Sequence, residues 1–341
     1  MSGLRDRHNR VASLAKATVT FALMCYRHAP YVERAVRSAL KQQGDPLDIL
    51  ISDDASDDDT FGVIERTVAD YAGPHRVRLN RNDANLGMGH FNRLLELAEG
   101  DYIVIAHGDD YSHTDRAAAL MRIFEREGVS MVSSNCQVMN ESGQKLGQIA
   151  TARSHRMTLG SIVTNGWRPT MLGATHAIHR DVLARFGGVN PNWLPVSYDI
   201  AFPFRGALLN GAYFTELELV AWRRHGRNMT DRLMRAALSR LEQAEGLGGF
   251  YITEVMAMFR DLRSLQRAEP DRRDLDRIQR QLMRTTMAVL EQWISTRNKL
   301  LTQGMFPTWS PVAELPASPD DGSYDSHSLN WLFQRLVDKP D

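Results

Sequence analysis

Short apolar runs alternating with helically spaced apolar positions dominate the first half of the chain. Val19, Phe21 and Leu23 alternate with Thr20 and Ala22 over Thr18–Met24, a strand pattern. Tyr31, Val32, Ala35, Val36, Ala39 and Leu40 then recur at helix spacing, behind Pro30, a residue suited to a helix start. The alternation repeats with a strand at 48–52, a helix through Phe61, Ile64, Val68 and Tyr71, a strand at 76–80, a helix over 89–99 and a strand at 101–106. This order predicts a parallel, doubly wound α/β sheet. Further on, the pattern predicts a helix over 115–127, strands at 129–135, 176–178 and 211–223, and helices over 181–186 and 199–210. From residue 231 it changes to long amphipathic helices, over about 231–245, 250–267 and 272–301. The last residues are rich in Pro, Ser and Asp and read as a loosely ordered tail closed by a short helix near Trp331.

Two of the apolar runs end in paired carboxylates. Ile49-Leu50-Ile51 leads into Asp53-Asp54, and Tyr102 to Ala106 leads through His107-Gly108 into Asp109-Asp110. Ligands of open α/β sheets bind beyond the carboxyl ends of the strands. Carboxylates delivered there suit a hydroxyl-rich ligand or a divalent cation carrying phosphate.

Composition narrows the classes. A hydrophobic share of 43% and a charged share of 24% are those of an ordinary globular protein, and a formal net charge of zero gives no support to a nucleic-acid partner. No apolar run approaches the ~18–20 residues that span a bilayer. Met1–Lys16 is polar and basic without an apolar centre, unlike a secretory signal. Cys25 and Cys136 read as buried free thiols, in keeping with a reducing cytoplasm, and no Cys/His spacing suits zinc.

The motifs, taken in order, carry a family resemblance. Tyr26-Arg27-His28 follows the first strand, Ser38 to Gln43 closes the first helix, and Asp53-Asp54-Ala55-Ser56-Asp57-Asp58 follows the second strand. Asn85-Leu86-Gly87, Ala98 to Ile103 and His107-Gly108-Asp109-Asp110 come after them. Residues 18–115 thus resemble the inverting GT-A glycosyltransferases of family 2. The likeness is traceable to about Thr230 through Gly187-Gly188, Tyr198-Asp199 and Arg223 to Asn228. It implies a GT-A-type, mostly parallel central sheet flanked by helices, with a C-terminal helical extension. The implied organisation is a tail over 1–17, a transferase domain over 18–230 with a nucleotide-binding half (18–115) and an acceptor half (116–230), an extension over 231–303 and a tail over 304–341.

The resemblance also implies roles. Asp54 would accept a hydrogen bond from the nucleobase, with Asp53, Tyr26 and His28 beside it. Asn85 and Gly87 would face the nucleotide from a turn before a helix. Asp110 would hold Mn2+ or Mg2+ on the diphosphate, Asp109 would reach the ribose or the metal, and His225 would close over them. His107 stands where relatives carry a further aspartate. Asp199 would be the general base on the acceptor side, although Tyr198 replaces the acid that often precedes it. Trp193 would stack on a sugar face. Asp57 to Asp59 read more simply as capping residues of a solvated loop.

The expected function is metal-dependent, inverting transfer from a nucleotide-diphosphate sugar, UDP-sugar favoured, to a hydroxyl of a glycan acceptor in surface polysaccharide synthesis. The place of action would be the cytoplasm or the inner face of its membrane. The C-terminal helices would pack on the transferase domain or form a homodimer. Two alternatives are a sugar-phosphate nucleotidyltransferase, which Cys25 to Pro30 disfavours for want of a glycine-rich loop, and a non-catalytic nucleotide-sugar-binding protein.

Overall fold

The computed structural model describes residues 17–164, 169–190, 198–225 and 240–303. The strands β1 (Val19–Cys25), β2 (Asp48–Asp53), β3 (Arg76–Arg81) and β4 (Tyr102–His107) lie parallel, with β1 between β2 and β4. The helices α1 (Val32–Leu40), α2 (Thr60–Val68) and α3 (Met88–Leu97) connect them. Next come β5 (Tyr111–Ser112), α4 (Arg116–Glu127), β6 (Met131–Met139), β7 (Lys145–Gln148), β8 (His155–Met157) and α5 (Leu159–Thr164). The domain continues through β9 (His176–His179), α6 (Arg180–Phe186), α7 (Ala201–Leu208) and β10 (Ala212–Arg223). Two long helices follow, α8 (Arg240–Ala268) and α9 (Asp274–Gln303).

All ten strands join one sheet in the order β3-β2-β1-β4-β9-β6-β10-β5, with β7 on β6 and β8 on β10. The long ladders are parallel, which makes the sheet mostly parallel. The exception that matters is β9, which runs antiparallel between β4 and β6. It therefore starts, at His176, on the edge where β4 ends. The doubly wound pattern predicted from the sequence holds for β1 to β4 and gives way here to a mixed sheet.

Each central strand buries both faces, as parallel strands between helices must. Phe21, Leu23, Ile49, Ile51 and Val104 pack with Val32, Val36, Leu120 and Phe124 on one side. Ala22, Leu50, Ile103 and Ile105 pack with Phe91, Leu94, Phe202 and Phe204 on the other. Each such large side chain contributes roughly 1.5–3 kcal/mol. Val255, Met258, Leu262, Leu275 and Leu282 of the extension belong to this second core. The expected packing of the extension on the transferase domain is thus what the structure has. Where two helices were expected over 231–267, α8 runs unbroken through residues 245–250. No described helix is long and apolar enough to cross a membrane. The expected terminal tails and Trp193 lie outside the described residues.

Candidate active site

Parallel alignment brings Cys25, Asp53 and His107, the last residues of β1, β2 and β4, to one edge. The loops leaving this edge are tied together. Arg27 and Ala55 both have positive φ, 54° and 55°. Such backbone costs about 1–3 kcal/mol per residue and persists where the surroundings impose it. Ser56 supplies the restraint. Its hydroxyl accepts from the Arg27 amide at 2.9 Å and donates to Asp53 Oδ1 at 2.5 Å, while its own amide reaches Asp53 Oδ2 at 3.0 Å. Asp53 is fully buried and shapes this turn.

Asp54 faces the other way. Its Oδ1 accepts from Asn82 Nδ2 at 2.8 Å and the Leu86 amide at 3.0 Å, and its Oδ2 accepts from the Gly87 amide at 3.0 Å. The Asn85 side chain accepts from the same Gly87 amide at 3.0 Å. Gly87 has φ +55°, which a side chain would strain. The structure therefore gives Asp54, Asn85 and Gly87 a shared task that sequence reasoning did not find: the carboxylate builds the loop at the start of α3. Asn92, on α3, exchanges two hydrogen bonds with Val189 (2.6 and 2.8 Å) and so binds backbone. Tyr26 is half-buried beneath the Arg27 guanidinium, 5.3 Å from its ring centre. Of the capping aspartates, Asp58 accepts from the Thr60 amide at 3.0 Å, while Asp57 and Asp59 pair with Arg27 and Arg66.

The second carboxylate pair sits between β4 and β5. Because β5 pairs antiparallel with β10, Arg223 at the end of β10 reaches over it. The Arg223 amide donates to Asp110 Oδ1 at 2.7 Å, and its Nε donates to the Asp109 carbonyl at 3.1 Å. Asp110 Oδ2 is buried with no hydrogen-bond partner among the described residues. Burial and the neighbouring Asp109 push the Asp110 carboxyl up. Burial raises Asp109 as well, but His28, the hydrogen bond from His225 and His107 outweigh it and hold that carboxyl below the ordinary carboxylate range. His225 Nε2 lies 3.1 Å from Asp109 Oδ2 and His28 Nε2 lies 3.8 Å from it.

Ligand atoms of His107, Asp109 and Asp110 all fall within 4.8 Å of one another. An imidazole, two carboxylates and an orphaned buried carboxylate oxygen fit a divalent cation. His225, expected among the metal residues, is outside that mutual group and contacts it through Asp109. His107, a departure from the family pattern whose imidazole can still ligate a metal, is inside it.

Behind the cluster lies Tyr198. Its hydroxyl meets His107 Nε2 at 2.7 Å, and its ring stacks on Phe91 with centroids 3.7 Å apart and 9° between planes. Burial pulls the His107 imidazole down to about 4, which keeps it neutral at ordinary pH. Burial pushes the Tyr198 phenol up, helped by Asp199, Asp110 and Asp109. Those three carboxylates therefore all act on the phenol electrostatically. Asp199 comes just before α7, whose N-cap is Ile200 with no side-chain cap. Gly173 admits this arrangement. A Cβ there would collide with Asp199 Oδ1 and lie 2.7 Å from the Tyr198 ring.

Arg116 lies underneath, fully buried. It donates to Ser112 Oγ at 2.9 Å, the Ile105 carbonyl at 2.7 Å and the Ala174 carbonyl at 2.9 Å. Burial pulls its guanidinium down to about 9 against the pull of Asp110, so it stays charged at neutral pH. In the sequence it is an ordinary first-turn residue of a helix, with no signal of this position.

Comparison with known proteins agrees with this fold. Residues 20–187 match the family described as Glycosyl transferase family 2. An uncharacterized protein of Mycobacterium tuberculosis is 28% identical over 233 residues, 64% of this chain and 71% of that protein. UDP-Glc:alpha-D-GlcNAc-diphosphoundecaprenol beta-1,3-glucosyltransferase WfaP of Escherichia coli is 29% identical over 117 residues, 34% of this chain and 45% of its own length. Among solved structures, S. aureus TarS 1-349 in complex with UDP shares the fold with a TM-score of 0.51 at 14% identity, covering 86% of this chain and 94% of that one.

Proposed function

This chain is a glycosyltransferase whose residues 20–187 form a glycosyl transferase family 2 domain, and we propose that it moves a sugar from a nucleotide-diphosphate sugar to a hydroxyl of a glycan or lipid-linked acceptor, with inversion and with a divalent cation. The observation that carries this reading is the cluster of His107, Asp109 and Asp110, tied through His107 to Tyr198 beside Asp199, with Asp110 Oδ2 left without a hydrogen-bond partner among the described residues. A cation bound by His107, Asp109 and Asp110 would offset the charge of the departing diphosphate. Arg223 and Arg116 keep that cluster in place, the first through the Asp110 carboxylate and Asp109 carbonyl, the second from below. The loop held by Asp54 lies on the nucleotide side. Asp199 takes the proton of the attacking hydroxyl. UDP is the favoured nucleotide, in line with the UDP-Glc donor in the name of the Escherichia coli relative. An undecaprenol-linked acceptor, as in that relative's name, would place the reaction at the inner face of a membrane.

A thermal-shift series with UDP, GDP, dTDP and CDP, each with and without Mn2+ or Mg2+, tests this. UDP with metal should give the largest rise, corresponding to about 2.7 kcal/mol at a hundredfold excess over Kd. No shift with any nucleotide would overturn the reading.

Gly173→Ala probes the base separately. Displacing Asp199 by an ångström should lower kcat by about 100-fold while nucleotide binding persists. Calorimetric titration with UDP beside initial-rate measurements checks the split.

A further inference from the structure

We propose that His107 is a nitrogen ligand of the catalytic cation, held to that task by Tyr198, and that this mixed donor set selects Mn2+ over Mg2+. The inference rests on the metal-dependent reading above and names the ligand and the selectivity that reading leaves open. His107 ends β4, and its imidazole offers a ligand atom within 4.8 Å of those of Asp109 and Asp110. Its Nε2 is committed to the Tyr198 hydroxyl at 2.7 Å, and no hydrogen bond among the described residues uses Nδ1. Tyr198 is itself fixed, 5% exposed and stacked face to face on Phe91. An imidazole anchored through one nitrogen presents the other in a set direction, as ligating histidines do. Asp110 Oδ2, in a residue only 4% exposed, supplies the unpartnered oxygen beside it.

One imidazole nitrogen with two carboxylates is a poor set for Mg2+, which takes oxygen ligands and keeps its waters. Mn2+, the first of the transition-row ions, also favours oxygen but tolerates an imidazole nitrogen better than Mg2+ does, though less strongly than the later ions of that row. His225 is the competing imidazole. Its Nε2 is 3.1 Å from Asp109 Oδ2, and it lies outside the mutual group.

Pulsed electron paramagnetic resonance on the full chain loaded with Mn2+ and UDP decides between them, because a directly bound imidazole adds a nitrogen modulation to the Mn2+ echo. The wild type should show that modulation. His107→Asp should lose it, and His225→Asn should keep it. The preference for Mn2+ over Mg2+, read as a ratio of Kd values by calorimetry, should fall by about tenfold or more in His107→Asp. A wild-type echo without nitrogen modulation overturns the inference whether or not the variant folds. So does modulation that survives in His107→Asp and vanishes in His225→Asn. A wild type that binds no Mn2+ at all overturns the metal-dependent reading itself, a separate and recognisable outcome.

Discussion

Asp199→Asn is expected to lower sugar transfer by about 10²–10⁴-fold, the ordinary contribution of a positioned general base. Asparagine keeps the size of the side chain, so the close fit against Gly173 survives and the fold should be unchanged. It cannot take a proton. Nucleotide binding should stay within about twofold of wild type, because the loss falls on a transition-state interaction alone. Steady-state rates with a hydroxyl acceptor, beside UDP titration, make the check. A variant that retains more than about a tenth of the wild-type rate would remove Asp199 from the base role.

The positions of these carboxylates were legible in the sequence for a simple reason. A buried parallel strand is a short apolar run, and its carboxyl end is marked by the first charged residues after it. Asp53, Asp54, Asp109 and Asp110 are such marks. Strand direction was less legible. His176–His179 has the composition of a strand, but its antiparallel seat between β4 and β6 depends on the path of the preceding chain, which carries no period. The edge strands β5, β7 and β8 are two to four residues long, too short for any alternation to register.

Partnerships across the fold were not legible at all. His107 and Tyr198 each read as the loss of an expected acid, at positions 91 apart. Together they are a hydrogen-bonded pair, and the two departures explain one another. A charge lost at 107 beside one lost at 198 leaves a neutral imidazole and a phenol that can share a proton position without repulsion. At Asp54 the partners, not the position, escape the sequence. Its strand-end position is plain in the sequence, while its bonds to Asn82 and the amides of Leu86 and Gly87 are not. Loop building is invisible in a sequence because any exposed turn can supply the amides.

Arg205→Met should give the largest loss of stability, about 3–5 kcal/mol. Arg205 of α7 is buried and forks onto Asp261 of α8, with Nε to Oδ2 at 2.7 Å and Nη2 to Oδ1 at 3.0 Å. Its Nη1 and Nη2 also donate to the Gly187 and Gly188 carbonyls, each at 3.0 Å. Burial pushes the Asp261 carboxyl up, and the pull of Arg205 does not fully offset it. Two charges taken out of water lose their hydration, so an intact buried pair adds little to stability. Breaking it is another matter. Arg205→Met strands a buried carboxylate and two carbonyls, whereas Asp261→Asn leaves the guanidinium its carbonyl partners and should cost less. Combining Arg205→Met with Asp261→Leu should recover much of the single-variant loss, since no buried charge remains. Urea unfolding of the wild type, Arg205→Met, Asp261→Leu and the double variant closes the cycle. Equal, additive losses would mean that α7 and α8 are held by their apolar contacts alone. The predicted coupling would instead make this ion pair the joint through which the helical extension steadies α7, and with it the residue just before α7, Asp199.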